Sequence, residues 1–303
     1  MIYFFFPEAS SYKTMLNWKN LPETTETIEL MLAFYAKNNF KIFPNAYVKD
    51  KFQYFNLIRS LNPQYQGDVT DNIMRTKILY RYWNFFNPTE EFIYPKNNEL
   101  AETYSNSGYN TAAYKSGIID LCTEKHRMKV NRCVEKISVP MNIYGENISY
   151  AERIKIMLAE WAESTGLFSK LPFMYGFLNL ISDADKIPMV GINYSNLYVI
   201  NSVSTFDKLL QDIITDKGNQ AYFVLVDLPA DMYIYNEFCE IKPISEWVSL
   251  NAAVKQNSVS DNLKKIAYMD QVKCLYGKLE DFMQSLKRVG LLNETAIFIQ
   301  GIS

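Results

Sequence analysis

The sequence predicts an α/β fold: a mostly parallel central sheet flanked by helices. Three observations carry this reading. Ile2-Tyr3-Phe4-Phe5-Phe6 and Ala221-Tyr222-Phe223-Val224-Leu225-Val226 are continuous apolar runs of β-prone residues, the pattern of strands buried on both faces. Segments with helical spacing alternate with such runs, which argues for layers of helix and sheet rather than a bundle. A long amphipathic helix, beginning near Leu263, leads through Gly290 into a closing apolar strand, Thr295-Ala296-Ile297-Phe298-Ile299.

Pro7 ends the first strand, and Glu8-Ala9-Ser10-Ser11 follows. Ligands of α/β domains collect at the carboxyl ends of strands. Glu8 is therefore a candidate metal ligand, with helix capping or pairing to a lysine as the alternatives. Ser10 and Ser11 read as caps, because a nucleophilic serine needs a base that is not identifiable here.

Ile28, Met31, Leu32 and Tyr35 give helical spacing over 25–36, with Thr24 or Thr25 as the cap. A strand broken by Pro44 is expected over 40–48, and helices over 52–61 and 73–85. A helix over 97–107 stops at Gly108, the residue expected just past a helix end, and Thr111–Tyr114 forms the next short strand. The helix over 149–164 places Ile154, Met157, Leu158 and Trp161 on one packing side. Two short apolar runs fill 188–200, and 206–214 is helical by period. The strand ending at Val226 runs into Asp227-Leu228-Pro229-Ala230-Asp231. In the closing helix, Tyr268, Val272, Leu275, Leu279, Phe282, Leu286 and Val289 recur at steps of four and three, a stripe for packing on a sheet or another helix.

A chain of 303 residues can bury a sizeable core. The 31 basic and 33 acidic residues are interspersed, giving a net charge of −2. A nucleic-acid or polybasic membrane role would want a concentrated cationic face, so neither is indicated. Aromatic residues make up 15% of the chain and read as core packing. Cys122, Cys133, Cys239 and Cys274 lack the paired short spacing of a zinc site. Cys122 and Cys133 could close a loop in an oxidising compartment; four separate thiols fit the spacing as well. No signal peptide and no membrane span is expected, since the apolar opening is far too short for either. The chain reads as soluble as written.

Several pieces, in order, resemble the alkaline phosphatase and sulfatase superfamily, and within it the envelope phosphoethanolamine and lipoteichoic-acid-synthase-like phosphoglycerol transferases. Tyr268-Met269-Asp270-Gln271, its helix, and Val289-Gly290-Leu291-Leu292-Asn293-Glu294-Thr295-Ala296-Ile297-Phe298-Ile299 are similar to that family's Tyr-x-Asp helix, Gly-Leu-Leu-Asp-Asn-Thr-like turn and apolar strand. Ala221–Val226 with Leu228-Pro229 resembles the strand before a loop carrying a His-Pro step. The opening strand with Glu8 resembles transferases whose first metal ligand is Glu. Glu99-Leu100-Ala101 through Gly108-Tyr109-Asn110-Thr111-Ala112 is similar to a Leu-Ala-x-x-Gly-Tyr-x-Thr step.

The resemblance implies an alkaline-phosphatase-like domain over 1–303, lacking its C-terminal part. The start almost inside a strand suggests a boundary at the N-terminus too. It also implies metal-assisted transfer, in which a hydroxyl or modified Cys attacks an ester beside one or two metal ions. Glu8 fits the first-ligand slot. The nucleophile slot falls within Val48–Tyr54, which offers no hydroxyl nucleophile of the expected type. The family's Asp-His pair falls on Ile302 and Ser303, and its loop histidine on Leu228. His126, the single histidine, lies away from these positions and reads as a surface residue. Glu8, helped by Asp50 or Asp231, is too small a ligand set to hold a transition metal; Mg²⁺ or Ca²⁺ would be held loosely.

The expected function is thus a sulfatase- or phosphoethanolamine-transferase-like domain that has lost catalysis, with no cofactor. It would be a pseudoenzyme or truncated form serving an envelope lipid or protein partner. One alternative is a working metal-dependent phosphotransferase or hydrolase acting on envelope phosphate esters. The other is a non-enzymatic α/β interaction protein. The resemblance places the domain on the periplasmic or other extracytoplasmic face of the membrane; without it, the chain reads as cytoplasmic.

Overall fold

The computed structural model describes residues 1–6, 9, 12–18, 20–43, 53–64, 73–79, 89–95, 98–114, 130–134, 144–145, 148–154, 156–157, 194–230, 232–248 and 260–301. Its main elements are β1 (Ile2–Phe6), α1 (Tyr12–Met15), α2 (Pro22–Lys37), α3 (Gln53–Leu61), β2 (Ile73–Leu79), β3 (Thr89–Pro95), α4 (Glu99–Asn106), β4 (Asn110–Tyr114), β5 (Arg132–Val134), α5 (Tyr194–Thr215), β6 (Gln220–Leu225), α6 (Asp261–Arg288) and β7 (Ile297–Gly301).

Five strands form one all-parallel sheet in the order β5-β4-β6-β1-β7. The continuous apolar run of β1 suits its place between β6 and β7, with Ile2 opposite both Tyr222 and Ile297. Alternate side chains of β1 enter different cores. Ile2, Phe4 and Phe6 join the larger one, with Met31 and Phe34 of α2, Val203 and Phe206 of α5, and Leu279 and Phe282 of α6. Phe5 joins the smaller one on the other face, with Leu57 and Leu61 of α3, Ala101 of α4, and Phe223 and Leu225. Helices thus cover both faces, as the sequence predicts.

Packing sorts the helices. Tyr268, Val272, Leu275, Leu279, Phe282 and Leu286 of the predicted stripe are buried, and α6 packs against both α2 and α5. Val289, the last of the series, is exposed because α6 ends one residue before it. Ser260 caps α6, its hydroxyl accepting from the Leu263 N–H. Asn98 caps α4 in the same way through Ala101, and Gly108 follows at φ +82°, a conformation glycine adopts at little cost.

Several expectations are corrected. Neither Thr24 nor Thr25 caps α2; the helix starts at Pro22, a favoured first position, and Thr24 is buried inside it. The segment 73–79 is a strand, not a helix, paired antiparallel with β3 from Ile73↔Pro95 to Leu79↔Thr89. Its β-branched residues suit a pleated pair, and that pairing overrides a locally helical spacing. Residues 40–43 form no strand; 44–48 lie outside the described residues. The helix expected over 206–214 is present as part of a longer one, α5, which starts at Tyr194 and so takes in the later of the two expected apolar runs; 188–193 lie outside the described residues. Residues 150–154 and 156–157 are helical, with Ile156 buried and Ile154 and Met157 exposed, so these two do not lie on a packing side as expected; Leu158 and Trp161 lie outside the described residues. Cys239 and Cys274 form a disulfide, correcting the reading of four separate thiols. Cys122 lies outside the described residues. Among those described, no helix is long and apolar enough to cross a membrane.

Candidate functional site

A parallel sheet carries the chain's functional expectations at its carboxyl ends. Here β1 and β7 are neighbours, paired as far as Phe6↔Gly301. Gly301 at the end of β7 and Ala9, beyond the end of β1, therefore meet. A Cβ built on Gly301 would stand 2.7 Å from the Ala9 carbonyl oxygen, so glycine permits this close approach. One residue earlier, the Gln300 amide donates to the Ser60 hydroxyl at 2.6 Å, joining β7 to the last turn of α3. The ends of β1 and β7 and the helix next to the nucleophile slot are thus brought together.

Gly301→Ala should lower stability by about 1–3 kcal/mol, the range of an overpacked contact that the backbone must yield to. Chemical denaturation would check this. A variant as stable as the parent would mean that the β1 and β7 ends do not approach so closely.

Beside them, β6 leads into Val226-Asp227-Leu228-Pro229. Leu228, at the position aligned with the loop histidine, is 0% exposed and belongs to the larger core, and the Leu228–Pro229 peptide is cis. Asp227 is 8% exposed, and its backbone N–H donates to the Ser202 hydroxyl of α5 at 2.9 Å. Asp227 was not among the acids singled out in the sequence; its position directly after a buried strand was the available signal.

The segment carrying the strongest resemblance, Tyr268 to Gln271, is structural in this chain. The Tyr268 ring meets Trp18 and Tyr233 edge-on at 5.6 and 5.7 Å. The Met269 sulfur accepts from the Thr24 hydroxyl at 3.3 Å. Asp270 lies 3.5 Å from the Lys242 ammonium; burial raises its carboxyl above the usual range, and Lys242 opposes that only in part. Gln271 is fully buried and braces the strap 232–248 that follows β6. Its carbonyl accepts from the backbone N–H groups of Ile234 (2.9 Å) and Tyr235 (3.3 Å), and its amide donates to the Ala230 carbonyl at 3.1 Å.

A second polar cluster ties β4, β5 and β6 to the end of α5. Asp212 accepts from the Tyr114 hydroxyl and, at 2.6 Å, from Lys208. Arg132 grips Asp216 with two nitrogens at 3.0 and 2.6 Å. The Tyr222 hydroxyl also donates to Asp216, and burial and that carboxylate push the Tyr222 phenol far above its ordinary range. Each acid here has a cation, so the cluster reads as a structural clamp. Asp227 meets α5 further toward its N-terminus, at Ser202.

Glu8, Asp50 and Asp231, the metal candidates, lie outside the described residues, as do His126, Ile302 and Ser303. Among the described residues, no three acidic, histidine or cysteine side chains gather into a metal-holding group. No family model matches the chain, and no curated protein or solved structure matches it.

Proposed function

We propose that this chain is a sulfatase- or phosphoethanolamine-transferase-like domain that has lost catalysis and serves on the extracytoplasmic face of a membrane by binding an envelope lipid headgroup or a protein. The observation that carries the reading is the convergence of the first and last strands, with Gly301 against Ala9. In the resembling family those two strand ends supply metal ligands. Here they lead to Glu8 on one side and to Ile302 and Ser303 on the other. Leu228, buried as a core residue, supports the same reading, because a leucine side chain has no atom that ligates a metal.

Asp227 favours a second reading, a metal-dependent phosphotransferase with relocated ligands, since it is a buried carboxylate at a strand's carboxyl end. Thermal melting with Mg²⁺, Mn²⁺, Zn²⁺ or EDTA, together with hydrolysis of aryl phosphates and sulfates, separates the two. Loss of catalysis predicts no turnover above background and no metal-dependent rise in melting temperature. A ligand that binds only the folded state must raise that temperature. Saturable metal stabilisation accompanied by turnover that Asp227→Asn abolishes would replace the first reading with the second.

A further inference from the structure

The strap after β6 contains a tight turn, 236–240, whose geometry explains one of its cysteines. Tyr235 and Ile241 face each other as an antiparallel bridge. Between them the Asn236 side-chain oxygen accepts from the backbone N–H groups of Phe238 (3.0 Å) and Glu240 (2.9 Å), and the Asn236 N–H donates to the Glu240 carbonyl at 3.0 Å. That closure puts Cys239 at φ +62°, in the left-handed region. Glycine fills such positions at no steric cost, and asparagine is the common substitute. A cysteine there is unfavourable for the backbone, so its side chain must contribute something a glycine would not.

The contribution is a bond. Cys239 is joined to Cys274 on α6, 35 residues away in sequence. The Cys239 residue is 6% exposed and Cys274 0% exposed, so reductants reach the bond only after the strap opens. Around it the strap is held by the Gln271 contacts and by the Lys273 ammonium, which donates to Glu237 at 3.1 Å and also to Glu26 of α2.

We propose that oxidation of Cys239 and Cys274 is what fastens the strap 232–248 to α6, as a permanent staple rather than a switch, and that the protein therefore works in an oxidising compartment. The chemistry is thiol–disulfide exchange with an oxidised dithiol catalyst or glutathione disulfide. One cysteine thiolate attacks a sulfur of that oxidant and releases one of its thiols. The other cysteine thiolate then displaces the second, and the oxidant leaves carrying the two electrons as a dithiol or two thiols. The inference is independent of the transferase-like reading, since it rests on the strap alone.

The test uses the full chain made under oxidising conditions. Peptide mapping after alkylation without reductant should return Cys239 and Cys274 as one linked peptide. Cys239→Gly is the informative variant, because glycine relieves the backbone and removes the bond at once. It should lower the melting temperature by about 3–6 °C, the range a cross-link of this loop length gives in a chain of this size. Protease cleavage within the strap should rise several-fold. Cys274→Ala should reproduce both effects, and reductant under mildly denaturing conditions should bring the parent to the variants' level. Alkylation of both cysteines in the native protein, or a Cys239→Gly variant as stable as the parent, would overturn the proposal. If both variants fail to fold, the parent melted before and after reduction under mildly denaturing conditions decides it: equal temperatures with the bond shown reduced reject the staple.

Discussion

Phe4→Ala is expected to cost about 3–5 kcal/mol, the range for removing a large buried aromatic side chain. Phe4 lies on β1, an inner strand between β6 and β7, and is buried. Its ring meets Phe6 at 5.9 Å, Phe206 of α5 at 5.5 Å and Phe282 of α6 edge-on at 5.5 Å. Two of the helices that cover this face, α5 and α6, meet the same ring, so the void cannot close by moving one of them. Domains of this kind are stable by only about 5–15 kcal/mol, so the loss takes a large share of the total. Urea denaturation reads it directly. A loss below about 1 kcal/mol would mean that the α5 and α6 packing is not centred on Phe4.

Gln271→Leu should cost roughly 3 kcal/mol even though it keeps the volume of the site. The leucine would leave the buried Ile234 and Tyr235 N–H groups and the half-buried Ala230 carbonyl without the amide that now serves all three. Breaking one side of a buried hydrogen bond exposes the desolvation cost of the other, and here three backbone groups bear it. Hydrogen exchange should accelerate at Ile234 and Tyr235 while β1 and β6 stay protected. Unchanged exchange there would show that the strap is held without Gln271. The variant separates the strap from the sheet, whereas Phe4→Ala weakens both.

The two experiments probe parts of the molecule that differ in how far the sequence reveals them. β1, β4 and β6 were legible because they are buried on both faces, and a strand of that kind has to be a continuous run of apolar or small residues. The stripe on α6 was legible from Tyr268 to Leu286 because one side of a long helix faces a sheet and its neighbours. The β2–β3 pair was not legible. Ile73 to Leu79 fits helical spacing as well as strand spacing, and its pairing with Thr89–Pro95 is decided by the partner strand. The burial of Ile156 in place of Ile154 and Met157 was hidden for a similar reason, since a helix shows its period but not which side its neighbours cover.

At the candidate site, the sequence placed Glu8, Ile302, Ser303 and Leu228 by resemblance, and the fold places the strands that precede them. β1 and β7 are adjacent, and Leu228 lies in the core directly after β6. Asp227 and Gln271 were not recognisable as special, because a lone Asp after a strand and a lone Gln on a helix are ordinary in a sequence. Gln271 takes its role from burial and the backbone groups it meets, and Asp227 is placed by its N–H on the Ser202 hydroxyl.

Taken by itself, the sequence determined the layered α/β class, the doubly buried strands and the closing helix and strand, because local periodicity and apolar runs encode which surfaces must leave water. Only the tertiary structure decided the strand order, the Gly301–Ala9 approach, the Gln271 brace and the Cys239–Cys274 bond. Each of these joins residues far apart in the chain, and the free energy that selects them exists only once both partners are packed together.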